Sequence, residues 1–277
     1  MKQLKAKILQ NRRLTQDFYR IRIESAYLAR NIKPGQFVEV RCAERIDPLL
    51  RRPFSVHRIL KDGIEILYEV VGKGTEILSQ RKKGEYLDII GPLGNGFILN
   101  AIRYPLNAIL IAGGMGIAPL VALAERLAYS VERIAYSKNK KIYVLIGAKT
   151  KSRILCEQDF KKLGVKVLIA TEDGSKGHKG LATDLVKDLL STKRYPLNAT
   201  LYACGPNAML KEVANIARLK KIPCQVSLEE YMACGVGVCL GCPVKVRAKG
   251  QGSSVKGYEY KMVCKDGPVF NSEEIMW

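Results

Sequence analysis

The sequence contains very little histidine, the side chain that most often transfers protons in enzymes: His57 and His178 are the only two in 277 residues. Neither has the neighbouring residues that a metal site or an acid–base site requires. Elsewhere no convincing Ser/His or His/Asp constellation is recognisable. We therefore assign no role to either histidine and predict no catalytic side chain in this chain.

The sequence also lacks an apolar run that could cross a membrane or direct secretion. Residues 104–124 carry no charge, but Gly113, Gly114, Gly116 and Pro119 interrupt them, which is typical of a buried strand, a tight turn and a helix. The N-terminal residues have no apolar core of the length found in signal peptides. We therefore expect a cytoplasmic protein.

Acidic residues are scarce compared with basic ones, 26 against 46, which gives a formal net charge of +20. The basic residues are scattered along the whole chain, whereas a nucleic-acid-binding surface concentrates them in a stripe with interleaved aromatic residues. Scattered charge is typical of a solvated surface. We expect neither nucleic acid nor a membrane as a partner.

Half of the eight cysteines form one group near the C-terminus, which is unlike the disulfide framework of a small secreted protein. Their spacing, C-x4-C-x2-C-x21-C, is one by which four thiolates hold a [2Fe–2S] cluster. Glycines between them permit the sharp bends that such a loop needs. A structural zinc site is the alternative, but zinc knuckles usually have two C-x2-C pairs and this group has one. The predicted ligands are Cys234, Cys239, Cys242 and Cys264.

The pattern of apolar residues predicts a multi-domain protein of β and α/β type. Up to about residue 100, short runs alternate apolar and polar residues between turn residues, which predicts a small antiparallel β-barrel. From there on, apolar strands alternate with helical stretches, which predicts a parallel sheet with crossover helices. The cysteine region follows as a third, small unit. The predicted domains are residues 1–102, 103–224 and 225–277.

Two motifs in the first domain are compatible with a ligand that has phosphates and a flat ring. In the motif Arg52-Pro53-Phe54-Ser55, the guanidinium can hold a diphosphate, the aromatic ring can cover a flat ring and the hydroxyl can donate to a ring nitrogen. The loop Gly72-Lys73-Gly74-Thr75 offers closely spaced backbone N–H groups to an anion. Each motif is weak evidence by itself, because an ordinary strand edge with an exposed arginine can have the same sequence.

The second domain contains a glycine loop between a buried strand and a helix, at residues 113–119. Such a loop brings the phosphates of a dinucleotide to the N-terminus of the helix. Pro119 stands where the G-x-G-x-x-G pattern has its third glycine, so an ordinary Rossmann dehydrogenase is disfavoured. A later strand ends at Cys204-Gly205-Pro206, which we expect at the same edge of the sheet.

These motifs occur in the order typical of a known group of flavoproteins. Up to about residue 225 the chain resembles the ferredoxin–NADP reductase superfamily, through R-P-F-S, G-G-M-G-I-A-P and C-G-P. With the C-terminal cysteines, the resemblance covers essentially the whole chain and narrows to the electron-transfer subunits of dihydroorotate dehydrogenase B. Residues 34–37, 171–175 and 264–270 add to it.

The resemblance implies FAD, a [2Fe–2S] cluster and NAD as cofactors, with the four cysteines as the cluster ligands. It places Arg52 at the FAD diphosphate, Ser55 at the isoalloxazine ring and Cys204 near the nicotinamide. The implied cofactor-binding residues are Arg52, Pro53, Phe54, Ser55, Gly72, Gly74, Thr75, Gly114, Gly116, Cys204 and Gly205. It also implies a separate FMN-containing catalytic subunit, a heterotetramer, and electron flow from dihydroorotate to NAD in pyrimidine biosynthesis.

Several alternatives stay open at this point. Lys149, Lys151 and Arg153 follow the strand expected to reach the adenosine ribose, where cations could accept the 2′-phosphate of NADP. The gap before Cys264 is long for this family, and we expect an extended hairpin around residues 249–257. The rival functions are a flavin/iron–sulfur subunit of an electron-bifurcating transhydrogenase or sulfide dehydrogenase, a reductase of an oxygenase, and a zinc-containing sensor without enzymatic activity.

Overall fold

The computed structural model describes residues 1–99, 107–132, 141–191, 199–248 and 257–277. The N-terminal part is a closed antiparallel barrel of six strands in the order β1-β2-β5-β4-β3-β6. Its strands are β1 (Lys2–Arg13), β2 (Phe18–Glu24), β3 (Phe37–Arg41), β4 (Arg52–Ile59), β5 (Gly63–Glu69) and β6 (Tyr86–Leu93). Two short helices accompany them, α1 (Ala26–Asn31) and α2 (Lys73–Gln80).

The barrel forms because its strands alternate apolar and polar residues with a period of two. Ile21 and Ile23 of β2 point inward with Val38 and Val40 of β3, and all four are fully buried. The residues between them point outward, and the outer face of β3 and β4 turns toward the rest of the molecule. That face carries the first part of the candidate site.

The second part is a seven-stranded sheet in the order β10-β9-β8-β7-β11-β12-β15. It contains β7 (Asn107–Gly113), β8 (Ile142–Ala148), β9 (Lys166–Thr171), β10 (His178–Lys179), β11 (Ala199–Cys204), β12 (Cys224–Ser227) and β15 (Val269–Asn271). The helices are α3 (Ala118–Glu132), α4 (Glu157–Lys162), α5 (Ala182–Ser191) and α6 (Asn207–Lys220). All strand pairs are parallel except β12 with β15. β7 is buried along its whole length because helices cover both faces of the sheet.

The C-terminal segment is built onto this sheet. It contains the antiparallel hairpin of β13 (Pro243–Arg247) and β14 (Tyr258–Met262), followed by the single turn α7 (Val263–Asp266). β15 then pairs with β12, and the buried Cys242 and Cys264 pack in the same hydrophobic core as the sheet. The cysteine region therefore shares its core with the nucleotide-binding domain.

The predicted fold class is confirmed: an antiparallel barrel, a parallel-sheet nucleotide-binding domain and a C-terminal cysteine segment follow one another. The predicted hairpin has its two strands at β13 and β14, while its tip, residues 249–256, lies outside the described residues, as does the predicted domain boundary at residues 102 and 103. The domain boundaries remain a prediction. Within the described ranges, no helix is long and apolar enough to span a membrane.

Buried polar contacts join the barrel to the sheet domain. The fully buried His57 of β4 donates from Nδ1 to the carbonyl oxygen of Ala118, the first residue of α3, at 3.1 Å. The next residue, Arg58, lies 3.1 Å from a carboxylate oxygen of Glu125 in α3 and 2.8 Å from one of Asp159 in α4. These contacts fix the face of the barrel against the glycine loop that precedes α3.

Candidate functional site

The outer face of β3 and β4 forms the floor of the candidate flavin site. Ser55 lies opposite Phe37 in the strand pair, and Pro53 lies opposite Glu39. Because successive side chains of a strand point to opposite faces, Pro53 and Ser55 share the outer face with Glu39. Ser55 is half-buried there, at the junction of the barrel with the sheet domain.

The same alternation corrects one interpretation of the sequence. Phe54 lies between these outward residues and points into the barrel, where it is buried and meets Tyr68 edge to face at 5.8 Å between ring centroids. Its ring therefore cannot cover a flavin on the outer face. The interpretation that the aromatic ring of this motif covers a flat ring does not fit this position, so we expect only the backbone of Phe54 to face a cofactor.

The predicted phosphate loop lies next to Arg52. The guanidinium of Arg52 donates to the carbonyl oxygens of Leu50 and Arg51, at 2.7 and 3.2 Å, which holds it at the end of β4. A Cβ atom added to Gly74, at the start of α2, would lie 3.0 Å from Nε of Arg52. Glycine therefore lets the arginine pack closely on the N-terminal turn of this helix, where unpaired backbone N–H groups favour an anion.

The other two residues of the loop have different environments. Gly72 is exposed, and a Cβ atom there would meet nothing within 4 Å, so its backbone is open to a ligand. The hydroxyl oxygen of Thr75 accepts from the backbone N–H groups of Val71 and Gly72, at 2.9 and 3.2 Å. It also donates to the carbonyl oxygen of Gly72. Thr75 thus shapes the loop, whereas Arg52 and the glycine backbone face outward.

The glycine loop of the sheet domain packs directly against the end of β11. A Cβ atom at Gly116 would lie 2.1 Å from the carbonyl oxygen of Cys204, and one at Gly205 would lie 2.9 Å from the backbone of Gly113. Only glycine permits this approach. In contrast, Gly114 is exposed, has a φ of +53°, and would place a Cβ atom in open space. The sequence-predicted residues of both loops are therefore brought together.

A cavity of about 730 Å³ opens beside these loops at the carboxyl edge of the sheet. It is lined by Gly113 and Gly114 at the end of β7, by residues 147–149 after β8, by residues 180–184 and by Pro206 and Met209. This is the edge at which open parallel sheets bind nucleotides. Its volume lies within the usual range for a site of a cofactor or small ligand.

The three cations that left NADP open lie in different environments in the structure. Arg153 pairs with Glu69 and lies 4.0 Å from Asp17, both in the barrel part, and its guanidinium lies 4.9 Å from the centre of the Phe18 ring. It lines the cavity together with Lys149, while Lys151 is exposed and is not among the lining residues. Arg153 therefore mainly joins the two domains.

The four predicted ligand cysteines form two pairs of side chains. Cys234 lies within hydrogen-bonding reach of Cys239, and Cys242 of Cys264. In the described residues, no three His, Cys, Asp or Glu side chains converge closely enough to hold a single metal ion. Two thiolate pairs provide two ligands for each iron of a [2Fe–2S] cluster, so the donor set fits that group.

Backbone N–H groups of the loop point at these sulfurs, as the glycine spacing predicts. Gly237 donates to Sγ of Cys264 at 3.1 Å, and Val236 donates to Sγ of Cys234 at 3.4 Å. Burial opposes ionisation of Cys234, but the N–H donors outweigh it and lower the pKa of this thiol to about 6. Burial and the neighbouring Cys242 raise the pKa of Cys264 to about 12. Gly235 and Gly237 have φ values of +69° and +80°, which glycine adopts without strain.

Two acidic residues of the site were missed by the sequence analysis. Glu39 is completely buried between the outer face of β3 and the cysteine loop, and Glu229 places a carboxylate oxygen 3.9 Å from Sγ of Cys204. Period-two alternation indicates only that the side chain of Glu39 points out of the barrel. It cannot indicate that a loop about 200 residues later in the chain covers that side chain. Cys42 and Cys224 are buried, in agreement with their assignment as small buried hydrophobes, whereas Cys156 is half-buried; burial raises the pKa of all three thiols.

Comparison with protein families matches two of the three parts of the site. Residues 110–215 match the oxidoreductase NAD-binding domain, and residues 229–276 match the iron–sulfur cluster binding domain of dihydroorotate dehydrogenase B. The first range contains the glycine loop, and the second contains all four cysteines of the cluster group.

Individual proteins are similar over the full chain. Two are electron transfer subunits of dihydroorotate dehydrogenase B (NAD(+)): that of Desulforamulus reducens is 41% identical over 98% of this chain and 97% of its own, and that of Caldanaerobacter subterraneus subsp. tengcongensis is 40% identical over 99% and 98%. A solved NADH-dependent reduced ferredoxin-NADP oxidoreductase, described for flavin-based electron bifurcation, is 31% identical. It has a TM-score of 0.80 and covers 98% of this chain and 90% of that one.

Proposed function

The chain belongs to the family of the electron transfer subunits of dihydroorotate dehydrogenase B, and from this premise we propose that it passes electrons from a partner catalytic subunit to NAD. The partner oxidises dihydroorotate to orotate on its FMN, a step of pyrimidine biosynthesis. This chain is then an oxidoreductase subunit without a pyrimidine site of its own. A heterotetrameric assembly and a cytoplasmic location remain predictions.

The observation that carries this proposal is the arrangement of three cofactor sites around one junction. The outer face of the barrel, the cavity at the carboxyl edge of the sheet and the four-cysteine loop all border the contact between the barrel and the sheet domain. When bound, FAD exchanges a hydride with NAD and single electrons with the [2Fe–2S] cluster. The chain itself needs only to hold these groups close together and to exclude water.

The barrel supplies the residues that we assign to FAD. Arg52, above the N-terminus of α2, binds the diphosphate together with the backbone of Gly72 and Gly74. Thr75 keeps that loop in shape through its three hydrogen bonds. Pro53 and Ser55 line the seat of the isoalloxazine ring, to which Phe54 contributes only backbone.

The sheet domain supplies the residues that we assign to NAD. The exposed backbone of Gly114 approaches the dinucleotide, and Gly116 lets this loop pack on the end of β11. Cys204 and Gly205 then border the nicotinamide, with Glu229 beside the thiol. We assign NAD rather than NADP because Arg153 is engaged with the barrel and because the full-length relatives carry NAD(+) in their names.

The cysteine loop supplies the cluster ligands and, we propose, the docking face for the partner. Cys239 is exposed, and the apolar side chains of Val238 and Leu240 beside it are exposed by 78% and 65%. Single-electron transfer requires the cluster to lie close to the flavin of the partner. We therefore expect Leu240→Asp to weaken assembly with the catalytic subunit; unchanged affinity in a pull-down would remove this docking model.

A second candidate function rests on the solved bifurcating enzyme, which is 31% identical over nearly the whole chain. As a subunit of such a transhydrogenase, the chain would have the same three sites and another partner. The higher identity of about 40% to the dihydroorotate family over the same length favours the first function.

The test is an anaerobic pull-down of the tagged protein from its native cell, assayed for dihydroorotate-dependent reduction of NAD. We expect the activity to co-purify with a second subunit and to disappear in the variant Cys239→Ser. If NADH bleaches the flavin but dihydroorotate reduces nothing, the assignment of the redox cofactors holds and the assignment of the partner is wrong. Co-purification of a ferredoxin-linked subunit would favour the bifurcating function.

A further inference from the structure

Glu39 is the one fully buried carboxylate at the junction, among the described residues, whose two oxygens both lack a hydrogen-bond partner. The nearby arginines are engaged elsewhere. Arg51 donates to the carboxylate and the carbonyl oxygen of Asp88, at 2.7 and 2.8 Å. Arg52 donates to backbone carbonyl oxygens. Thus no described side chain or backbone group of the protein satisfies this carboxyl group.

A buried carboxyl without a partner destabilises the folded chain, because it loses hydrogen bonds to water and gains none. Glu39 stands among the apolar residues Phe37, Val38 and Val40 of the strand. An apolar residue would fill the same space at a lower cost in folding free energy. A bound group that completes its hydrogen bonds is one explanation for such a carboxyl in a native structure.

The position of Glu39 indicates which ligand that is. It lies opposite Pro53 on the outer face of the barrel, one diagonal step from Ser55, and so borders the proposed seat of the flavin. On its other side it touches the cysteine loop: a Cβ atom at Gly235 would lie 2.6 Å from Cγ and 2.9 Å from Oε1 of Glu39. Glu39 therefore separates the flavin seat from the loop that holds Cys234.

We propose that Glu39 is a positioning residue that hydrogen-bonds FAD and, through its contact with Gly235, holds the flavin and the cluster loop in a fixed relation. The inference rests on the proposed function, since it requires FAD on the outer face of β3 and β4. No residue of the R-P-F-S motif can take this position, because the side chain of Phe54 points into the barrel and those of Pro53 and Ser55 lie on β4.

The variant Glu39→Leu separates this role from a merely structural one. A leucine of similar length removes the unpaired buried carboxyl, so we expect the FAD-free protein to melt at a higher temperature than the wild type. The same variant should bind FAD at least about 10-fold more weakly, the effect of losing a hydrogen bond to a charged group. Thermal unfolding of the FAD-free chain and a fluorescence titration with FAD measure the two effects, which have opposite signs.

Glu39→Gln keeps a hydrogen-bonding group in place and is the second variant. It should bind FAD within about 3-fold of the wild type, yet shift the visible absorption bands of the bound flavin, since an amide replaces the carboxyl beside it. Identical flavin spectra of this variant and the wild type would overturn the proposal. So would FAD affinity unchanged in Glu39→Leu, a result that assigns the carboxyl to an ordered water.

Glu65→Gln is the matched control, because Glu65 is also a nearly buried carboxylate of a barrel strand but lies beside Arg20 and Arg58, at 4.0 Å from each. It should lower the melting temperature and leave the FAD affinity unchanged. The wild type tests the premise separately. If it binds no FAD at all, the proposed function fails; if it binds FAD and Glu39→Leu binds equally well, only the role of Glu39 fails.

Discussion

Single buried side chains at the domain junction have chemistry that their sequence neighbours do not predict. His57 follows the flavin motif and was assigned no role, yet it is fully buried and joins the barrel to the start of α3. Because the carbonyl oxygen of Ala118 can only accept, Nδ1 of His57 carries the proton, and the ring is neutral. Burial lowers the pKa of this histidine from 6.5 to about 4.

A pH dependence of stability follows from this shift. Below pH 6.5 the unfolded chain binds a proton at His57, whereas the folded chain binds it only below about pH 4. The free energy of unfolding therefore falls as the pH drops from 6.5 to 4. The contribution is about 3 kcal/mol in total. His57→Asn keeps an N–H donor for Ala118 and does not titrate. Urea unfolding at pH 7, 6, 5 and 4 should therefore show a smaller loss of stability with falling pH in the variant than in the wild type. The same pH dependence in both proteins would contradict the lowered pKa of His57.

The cluster ligands give a second prediction at this scale. Cys264→Ser should abolish the visible absorption of the cluster and reduce iron and acid-labile sulfide to background, because one iron loses a thiolate. Cys224→Ser is the matched control, since Cys224 is equally buried and its thiol also has a raised pKa of about 12. It should keep full iron content. Stoichiometric zinc without sulfide in the wild type would instead establish the zinc alternative.

At the scale of elements, close backbone contacts between loops position the nucleotide site. The turn before α3 and the end of β11 approach so closely that Gly116 has no room for a methyl group. Similarly, the start of α2 and the end of β4 meet through Gly74 and Arg52. Each proposed phosphate site is thus a helix N-terminus held against a neighbouring strand end.

Gly116→Ala should disrupt the first of these contacts. A Cβ atom 2.1 Å from the carbonyl oxygen of Cys204 forces the loop away from β11, which we expect to cost about 3 kcal/mol of stability and to weaken NADH binding at least 10-fold. Gly84→Ala is the control, because Gly84 has a φ of +95° in a barrel turn with open space around it. That variant should lose about 1 kcal/mol and bind NADH normally. Equal effects of the two changes would contradict the packing argument.

At the scale of the whole molecule, charged groups lock the barrel onto the sheet domain. Arg58 and Arg20 of the barrel face Glu125 and Asp159 of the sheet domain, together with Glu65. The side chains of these pairs are mostly shielded from solvent, so removing one partner leaves a charge uncompensated away from water and costs more than it would at the surface. The same contact fixes the proposed flavin seat relative to the proposed cavity for NAD.

Arg58→Met should therefore loosen the two domains. It leaves three carboxylates without their central cation, which we expect to lower the stability by about 3 kcal/mol and to slow flavin reduction by NADH while FAD affinity stays unchanged. Arg22→Met, which breaks the exposed pair of Arg22 with Asp62 within the barrel, should cost less than about 1 kcal/mol. Chemical unfolding and stopped-flow reduction by NADH compare the variants. Normal reduction kinetics in Arg58→Met would show that the network has no part in domain alignment.

Much of the fold was predictable because local periodicity reflects local burial. Alternating residues indicated the barrel, and apolar runs alternating with helical stretches indicated the sheet with its crossover helices. The pairing of β15 with β12 was not predictable, since three residues near the C-terminus carry no periodic signal. That pairing makes the cysteine segment part of the core of the sheet domain.

The sequence by itself determined the kinds of sites and the family, because cysteine spacing, glycine loops and the R-P-F-S motif are local features. Only the tertiary structure decided which side chains meet at the junction. It turned Phe54 into the barrel, engaged Arg153 with Glu69, buried His57 and enclosed Glu39 between β3 and Gly235. These outcomes depend on contacts between residues up to about 200 positions apart in the chain, and burial by a distant segment leaves no trace in the local sequence.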